Sequence, residues 1–217
     1  MSNILTNFVF AFLLVFYSFC IAFASDSNIN TSETDEEKPF DWSKPVVSRG
    51  FGDIEASTEQ DKASVEQYKS GQVLYFFGDY KKAIEKWQPL LKENFAAAQA
   101  SMGWLYQMGL GIKKDPAQAF QLYSLAANQG NAVAQNNLGV MYEQGISVEV
   151  DLVQARTWYR KSAMNGYRYG QFNFANSLYE GFGGAKDVNQ AIQWYQKAAD
   201  QSVEQAKNKL SQIHSEP

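Results

Sequence analysis

One spacing organises much of the chain: the same residue types return every 36 positions. Aspartate, alanine and tyrosine hold this register in three consecutive copies, with no insertion or deletion between them. The recurring residues are Asp115, Asp151 and Asp187, then Ala119, Ala155 and Ala191, then Tyr123, Tyr159 and Tyr195. A fixed period of this length is typical of stacked repeats, in which each unit buries its apolar face against its neighbours. The register therefore predicts a repeat architecture.

Each unit is predicted to contain two helices, A and B. In the first full copy, Met102, Leu105 and Tyr106 have the i, i+3, i+4 spacing of one buried helical stripe. A second stripe begins after Asp115 and ends at Gly130, a residue type that favours helix termination. In each of the three full copies the B helix begins with aspartate and carries glutamine three residues later, the pattern of a capping box. The predicted fold class is therefore all-α.

Small residues recur where the two helices of a unit are expected to cross. Gly103 and Gly139 lie one period apart, and Ala175 takes their place in the third copy. A missing or minimal side chain lets two backbones approach closely. These positions are therefore interpreted as packing sites and not as functional sites.

An altered unit precedes the three copies, and half a unit follows them. Asp79, Ala83 and Trp87 keep the period, but Gly71 lies four residues closer to them than its later counterparts do, so the turn is shorter. Pro89 falls inside the predicted B helix and is expected to kink or end it. After the last copy, a short amphipathic segment is predicted to cover the final apolar face, as terminal caps of solenoids do.

The beginning of the chain has a different character. Residues 8–24 contain no charge and end in an Ala-x-Ala pattern, which predicts a secretory signal peptide cleaved near Ala24; an uncleaved membrane anchor is the alternative. The segment that follows is polar and carries a net charge of −5 before Trp42, against −4 for the whole chain. It is predicted to be a flexible acidic leader. The near-neutral remainder lacks the basic footprint of a nucleic-acid-binding protein.

The predicted organisation has seven parts. They are a signal peptide (1–24), an acidic leader (25–60), an altered repeat (61–96), three full repeats (97–131, 132–167 and 168–202), and a capping helix with a tail (203–217).

Catalytic constellations are missing from the sequence. Cys20, inside the predicted signal peptide, is the only cysteine, and His214 is the only histidine. This composition leaves no zinc-ligand spacing and no histidine-dependent triad, and no G-x-S-x-G motif is present. The chain is therefore predicted not to be an enzyme and to bind neither a cofactor nor a metal ion.

The segment 138–166 begins with LGVMYEQG and continues with D, QA, WY, KSA and G in that order. It resembles the Sel1-like repeat, a relative of the tetratricopeptide repeat. Three units between residues 98 and 200 share the pattern, and the altered first unit looks more like a tetratricopeptide repeat itself. The resemblance covers residues 63–210. Local departures are Ala175, Leu178 and Ser202, which replace a glycine, a tyrosine and a glycine.

This resemblance implies a right-handed α/α superhelix of about four helix pairs plus a C-terminal capping helix. Proteins of this kind usually act as adaptors that hold other proteins, and exported bacterial members are commonly envelope or host-interaction proteins. One branch carries a cysteine pair in every repeat and is linked to β-lactam binding. The lack of such cysteines here sets this chain apart from that branch.

The resemblance also places a binding groove on the concave face, at three positions of each A helix. These are the residues three before, one after and four after the packing glycine. The predicted groove residues are Tyr68, Gln72, Tyr75, Trp104, Gln107, Asn136, Val140, Glu143, Phe172, Asn176 and Tyr179, with Ala100 completing the set. None of them is Lys or Arg, so the set lacks a cationic clamp for a terminal carboxylate.

Aromatic and amide side chains suit an uncharged or apolar peptide segment, or a neutral glycan such as a cell-wall glycan. The alternative is that several of them only pack between adjacent A helices.

The sequence thus predicts a non-enzymatic, exported scaffold or adaptor in the envelope or outside the cell, with a protein or peptide partner and no membrane contact after signal cleavage. The other predicted functions are a secreted host-interaction factor and an envelope protein connected with peptidoglycan, other glycans or β-lactams.

Overall fold

The computed structural model describes residues 59–215, and within this range the chain forms nine α-helices and no strands. The helices are α1 (Glu59–Phe76), α2 (Tyr80–Lys92), α3 (Ala96–Met108), α4 (Pro116–Asn128), α5 (Ala132–Gln144), α6 (Leu152–Met164), α7 (Arg168–Glu180), α8 (Val188–Asp200) and α9 (Glu204–Ser215). The predicted signal peptide lies outside the described residues, and so does the predicted leader apart from Glu59 and Gln60. No helix in the described range is long and apolar enough to cross a membrane.

The helices pack in chain order as four A–B pairs and one closing helix. Within a pair, α1 packs on α2, α3 on α4, α5 on α6 and α7 on α8, and each B helix also contacts the next A helix. The closing helix α9 packs on α8 and buries Ala206 and Leu210. The prediction of an all-α helical repeat superhelix is confirmed.

Each pair is closed by a small residue on the A helix that faces an aromatic ring from the B helix. A Cβ atom added to Gly139 would lie 2.7 Å from the ring of Tyr159, and one added to Gly103 would lie 2.9 Å from the ring of Tyr123. Both tyrosines have no exposed surface. The glycines therefore make room for bulky side chains that fill the interior of each pair.

The A–B corners are fixed by a left-handed glycine and a capping aspartate. In the second full repeat, Gly145 ends α5 with a φ of 69°, and the Asp151 carboxylate accepts bonds from the backbone N–H groups of Val153 and Gln154. The backbone N–H of Asp151 donates to the carbonyl of Tyr142, 2.9 Å away. Equivalent bonds recur in the other two copies. The aspartates are N-caps, as predicted. In a capping box the glutamine side chain would accept a bond from the backbone N–H of the aspartate. Here that N–H donates instead to a backbone carbonyl of the A helix.

The B–A turns share a left-handed residue at one register position. Asn94, Gly130, Gly166 and Ser202 lie one period apart, with φ values of 57°, 91°, 80° and 64°. Asparagine tolerates this conformation better than most residues, whereas serine at this position is uncommon. Ser202 therefore departs from the repeat in sequence but not in backbone conformation.

Pro89 does not end its helix. The helix α2 continues for three residues beyond it, to Lys92, so termination at the proline is the wrong expectation. A proline removes only one backbone bond to the preceding turn. The neighbouring Trp87 and Leu90 are 2% and 0% exposed, and this burial holds the last turn of α2 against the core.

Candidate partner-binding surface

The predicted groove residues surround the tips of the aromatic side chains that recur on the B helices. In the first unit, the Trp87 ring centroid lies 5.8 Å from that of Tyr68 and 6.0 Å from that of Tyr75. In the last unit, the Tyr195 ring lies near two further members of the predicted set, at 5.9 Å and 6.4 Å. The A-helix positions chosen from the sequence therefore share one face, and the B helices support that face from behind.

Three buried tyrosine hydroxyls donate hydrogen bonds to this face. Tyr123 donates to Gln107 Oε1 at 3.0 Å. Tyr159 donates to Glu143 Oε2. Tyr195 donates to the amide oxygen of Asn176, which lies one turn before the position that Gln107 and Glu143 occupy in their own repeats. A hydrogen bond from a fully buried side chain restricts the rotamers of its acceptor, so part of this surface is preorganised.

Tyr195 shows how the third full repeat differs. Its hydroxyl bonds to Asn176 Oδ1 at 2.7 Å, whereas the residue at the usual acceptor position is Tyr179, which packs edge-on against the Tyr195 ring. Tyr179 in turn carries the ammonium group of Lys186 over its own ring, 4.9 Å from the centroid. The acceptor is therefore Asn176, one turn earlier on α7, while Tyr179 packs its ring against Tyr195.

Burial keeps these hydroxyls protonated. Removal from water raises the pKa of Tyr123 above its ordinary value of 10.0. The pKa of Tyr159 is raised well above that value by burial and by the neighbouring carboxylate of Glu143. Burial, followed by nearby acidic and phenolic groups, also raises the pKa of Tyr195. The three side chains therefore act as hydrogen-bond donors at neutral pH.

Adjacent A helices are joined by side-chain bonds along the same face. The indole N–H of Trp104 on α3 donates to the Tyr75 hydroxyl on α1, at 2.9 Å. The amide of Asn173 on α7 donates to Asn136 Oδ1 on α5, also at 2.9 Å. The face is therefore continuous from one repeat to the next at both ends of the described array.

Four of the predicted groove residues are buried and present almost no surface to a partner. Tyr68 is 2% exposed, Ala100 is 3% exposed, and Asn136 and Val140 are each 4% exposed. The hydroxyl of Tyr68 bonds to Ser101 on the next A helix at 2.9 Å, so this ring lies between two units. These residues follow the alternative prediction, which was that some of the set only pack between helices. Their assignment to a binding surface is therefore corrected.

The remaining eight predicted residues are all partly exposed, and we call them the A-helix surface. They are Gln72, Tyr75, Trp104, Gln107, Glu143, Phe172, Asn176 and Tyr179. Every position four residues after the packing site belongs to this set, whereas most positions three residues before it are buried. Partner binding by the A-helix surface stays a prediction at this point.

A second repeated network was missed in the sequence because its residues are polar. Buried glutamines in the first turn of three A helices accept bonds from amides at the ends of the following B helices. The pairs are Gln99 with Gln129 at 2.7 Å, Gln135 with Asn165 at 2.9 Å, and Gln171 with Gln201 at 2.9 Å. The glutamines are 2–6% exposed. Their spacing of 36 residues was the available signal, and the network joins the first turn of each A helix to the end of the following B helix.

The described range offers no obvious metal centre. Across residues 59–215, no group of three or more His, Cys, Asp or Glu side chains comes together. Among the side chains that the structure describes, Lys82 pairs with Asp79 at 2.7 Å and Lys207 with Glu204 at 2.6 Å, both on exposed helix ends. Neither belongs to the A-helix surface.

Comparison with known proteins points to one repeat family. The model of the Sel1 repeat matches residues 96–131, 132–167 and 168–203, so each match spans one A and one B helix. Among curated proteins, no sequence matches the chain.

Two solved structures resemble the chain at above 30% identity. A Sel1 repeat protein from Oxalobacter formigenes is 34% identical over 66% of this chain, with a TM-score of 0.62. The protein c5321, a protective antigen present in uropathogenic Escherichia coli strains and displaying an SLR fold, is 32% identical over 72% of this chain, with a TM-score of 0.64. The chain spans 59% of the first protein and 35% of the second.

Proposed function

This chain is a Sel1 repeat protein, and from that premise we propose that it is an exported, non-enzymatic scaffold that holds a segment of another protein on its A-helix surface. Sel1 repeat proteins generally mediate protein–protein interactions and are typically not enzymes. The position of the site on this chain and the chemistry of the segment are the parts that we add.

The observation that carries the proposal is the support of partly exposed polar groups by buried tyrosines. Gln107, Glu143 and Asn176 each accept a bond from the hydroxyl of a tyrosine that is 0% exposed. Ordering a long side chain on binding costs about 0.5–1.5 kcal/mol, and a surface that is already ordered avoids much of that cost. These bonds also satisfy the buried hydroxyls, as packing requires. Binding is favoured because the acceptors themselves remain partly exposed and are held in place for a partner.

The composition of the A-helix surface favours a particular kind of segment. Tyr75, Trp104, Phe172 and Tyr179 supply flat, partly exposed rings of the type that anchor interfaces. Gln72 and other amides supply donors and acceptors that match the main chain of an extended peptide. None of the eight residues is Lys or Arg, and the ammonium group of Lys186, which contacts this surface, lies over the ring of Tyr179. We therefore propose an internal, extended segment of a partner protein as the ligand.

A selection experiment tests this proposal. Random dodecapeptides displayed on phage are selected against the purified chain and then titrated against two variants with the same change of charge. Gln72→Arg alters the A-helix surface, and Gln121→Arg, on the exposed side of α4, is the matched control. Selected peptides are expected to bind the control like the unchanged chain and to lose at least about fivefold in affinity for Gln72→Arg, which corresponds to about 1 kcal/mol.

Two results would contradict the proposal. Equal affinity for both variants would place the binding surface elsewhere on the repeats. Failure to select any peptide, together with saturable binding of soluble muropeptides that Gln72→Arg abolishes, would assign the surface to glycans.

Export is the second part of the proposal. It is supported by the uncharged segment at residues 8–24 and its Ala-x-Ala end. The description of the similar E. coli protein as a protective antigen also favours it. Mass spectrometry of the protein from the envelope and culture-medium fractions is expected to find an N-terminus at Ser25. Recovery from the cytoplasm with residues 1–24 intact would contradict export.

A further inference from the structure

Glu143 is the one charged side chain on the A-helix surface. The corresponding positions in the other units hold Tyr75, Gln107 and Tyr179, which are uncharged at neutral pH. Glu143 is partly exposed, and one of its oxygens accepts the hydrogen bond from Tyr159. Neither of the ion pairs described above involves it. The surface therefore presents a single negative charge whose position is fixed by a buried hydroxyl.

The A-helix residues on either side of this carboxylate are apolar or neutral, and the ammonium group of Lys186 lies over the ring of Tyr179 on one flank. Val140, one turn earlier on α5, is buried, so no second charge accompanies Glu143 on its own helix face. On the flanking A helices, the surface residues are Trp104 and Gln107 on one side and Phe172, Asn176 and Tyr179 on the other. A carboxylate on a surface that also carries aromatic rings attracts a cation, because rings and carboxylate both favour positive charge.

We propose that Glu143 determines the specificity of the A-helix surface by selecting a partner segment with a lysine or arginine between two apolar side chains. This inference rests on the proposed function and adds the charge and spacing of the ligand. Neighbouring packed helices lie about 8–10 Å apart, and an extended chain advances about 3.3 Å per residue. One repeat therefore corresponds to about three ligand residues. The expected pattern is apolar-x-x-Lys/Arg-x-x-apolar.

The test uses defined peptide pools. Acetylated and amidated heptapeptides carry leucine or tyrosine at positions one and seven, lysine, norleucine or glutamate at position four, and a mixture of small and polar residues elsewhere. Their affinities are measured by fluorescence anisotropy for the purified chain and for Glu143→Gln and Glu149→Gln. Glu149→Gln is the matched control, since it removes one negative charge from an exposed loop position. In the Glu143→Gln variant the new amide oxygen can still accept the bond from Tyr159, so folding is expected to survive, and thermal unfolding checks this.

The lysine pool is expected to bind the unchanged chain about fivefold to tenfold more tightly than the norleucine pool, with the glutamate pool weakest. Glu143→Gln is expected to abolish this preference, and Glu149→Gln to retain it. Equal binding of the lysine and norleucine pools, or a preference that survives Glu143→Gln, overturns the inference and leaves the scaffold function standing. If no pool binds, the inference about Glu143 is also overturned. The scaffold function is then tested by the phage selection alone.

Discussion

The hydroxyl of Tyr159 on α6 donates a hydrogen bond to the carboxylate of Glu143 on α5, and the ring of the same tyrosine covers Gly139. One side chain thus closes a helix pair and fixes a charge on the proposed binding surface. The recurring aromatic residue of this repeat connects the core with the A-helix surface, so changes in one are expected to affect the other.

Removal of the Tyr159 hydroxyl tests this connection. Tyr159→Phe is expected to lower the free energy of unfolding by about 1–2 kcal/mol, because a bond to a charged group is lost while the acceptor keeps some access to water. Urea denaturation measures the change. The same variant is expected to bind the lysine pool less tightly, since Glu143 loses its support. Tyr123→Phe, which removes the equivalent bond to Gln107, is the control and is expected to retain the preference for lysine.

Insertion of a methyl group at Gly139 tests the closeness of the helix crossing. The new Cβ would lie 2.7 Å from two ring carbons of Tyr159, and the ring has no free space because it is completely buried. Overpacking costs about 1–3 kcal/mol, and the gain in helix propensity of about 1 kcal/mol offsets only part of it. Gly139→Ala is therefore expected to lower the midpoint of urea unfolding.

The third full repeat offers a natural control for the Gly139→Ala change. Ala175 occupies the same register position in the third full repeat, where it is 0% exposed. Ala175→Gly is expected to cost about 1–2 kcal/mol, through helix propensity and the lost burial of one methyl group. A Gly139→Ala variant more stable than the unchanged chain would show that the crossing has room to relax.

The buried glutamine network is expected to contribute to stability. Gln135 donates to the carbonyl of Ala127 at 3.1 Å and accepts from Asn165 at 2.9 Å. Gln135→Ala leaves both partners without this bond inside the fold and is expected to cost about 2–3 kcal/mol in unfolding free energy. Gln144→Ala, at an exposed position of the same helix, is the control and is expected to change stability by less than about 0.5 kcal/mol. Equal effects would mean that the network is not stabilising.

Stability is expected to fall above about pH 10, the ordinary pKa of tyrosine. Burial raises the pKa of Tyr123 in the fold, so its stabilising contribution is complete below the pKa of the unfolded chain and is lost as the pH rises beyond it. Each such tyrosine contributes a slope of at most about 1.4 kcal/mol per pH unit. Urea unfolding between pH 8 and 11.5 measures this slope, and Tyr123→Phe is expected to reduce it. An unchanged slope would contradict the assignment.

Much of the fold follows from the sequence, because a 36-residue register carries three kinds of information at once. Asp151 marks a helix start, Gly139 marks a close crossing, and Tyr159 marks the side chain that fills it. The A-helix face that surrounds the tyrosine tips follows from helical geometry and the resemblance. These features depend on residues within one unit, which is why local spacing predicts them.

Features that depend on a second unit were harder to predict. The burial of Tyr68 needs Ser101 from the following A helix, and that of Asn136 is accompanied by a bond from Asn173. Gln135 looks like a surface residue until Asn165 is placed beside it. Such contacts join residues about 30 positions apart, and no periodic pattern within one helix reveals them.

The most direct test of the binding surface is fluorine NMR of the chain labelled with 5-fluorotryptophan. The five tryptophans give separate resonances, and Trp→Phe variants assign them. Addition of a peptide from the phage selection is expected to shift the resonance of Trp104 on α3 and to leave that of Trp158, on α6 beneath Lys161, unchanged. A shift confined to Trp158, with Trp104 unmoved at saturation, would show that the B helices bind the partner and would contradict the account.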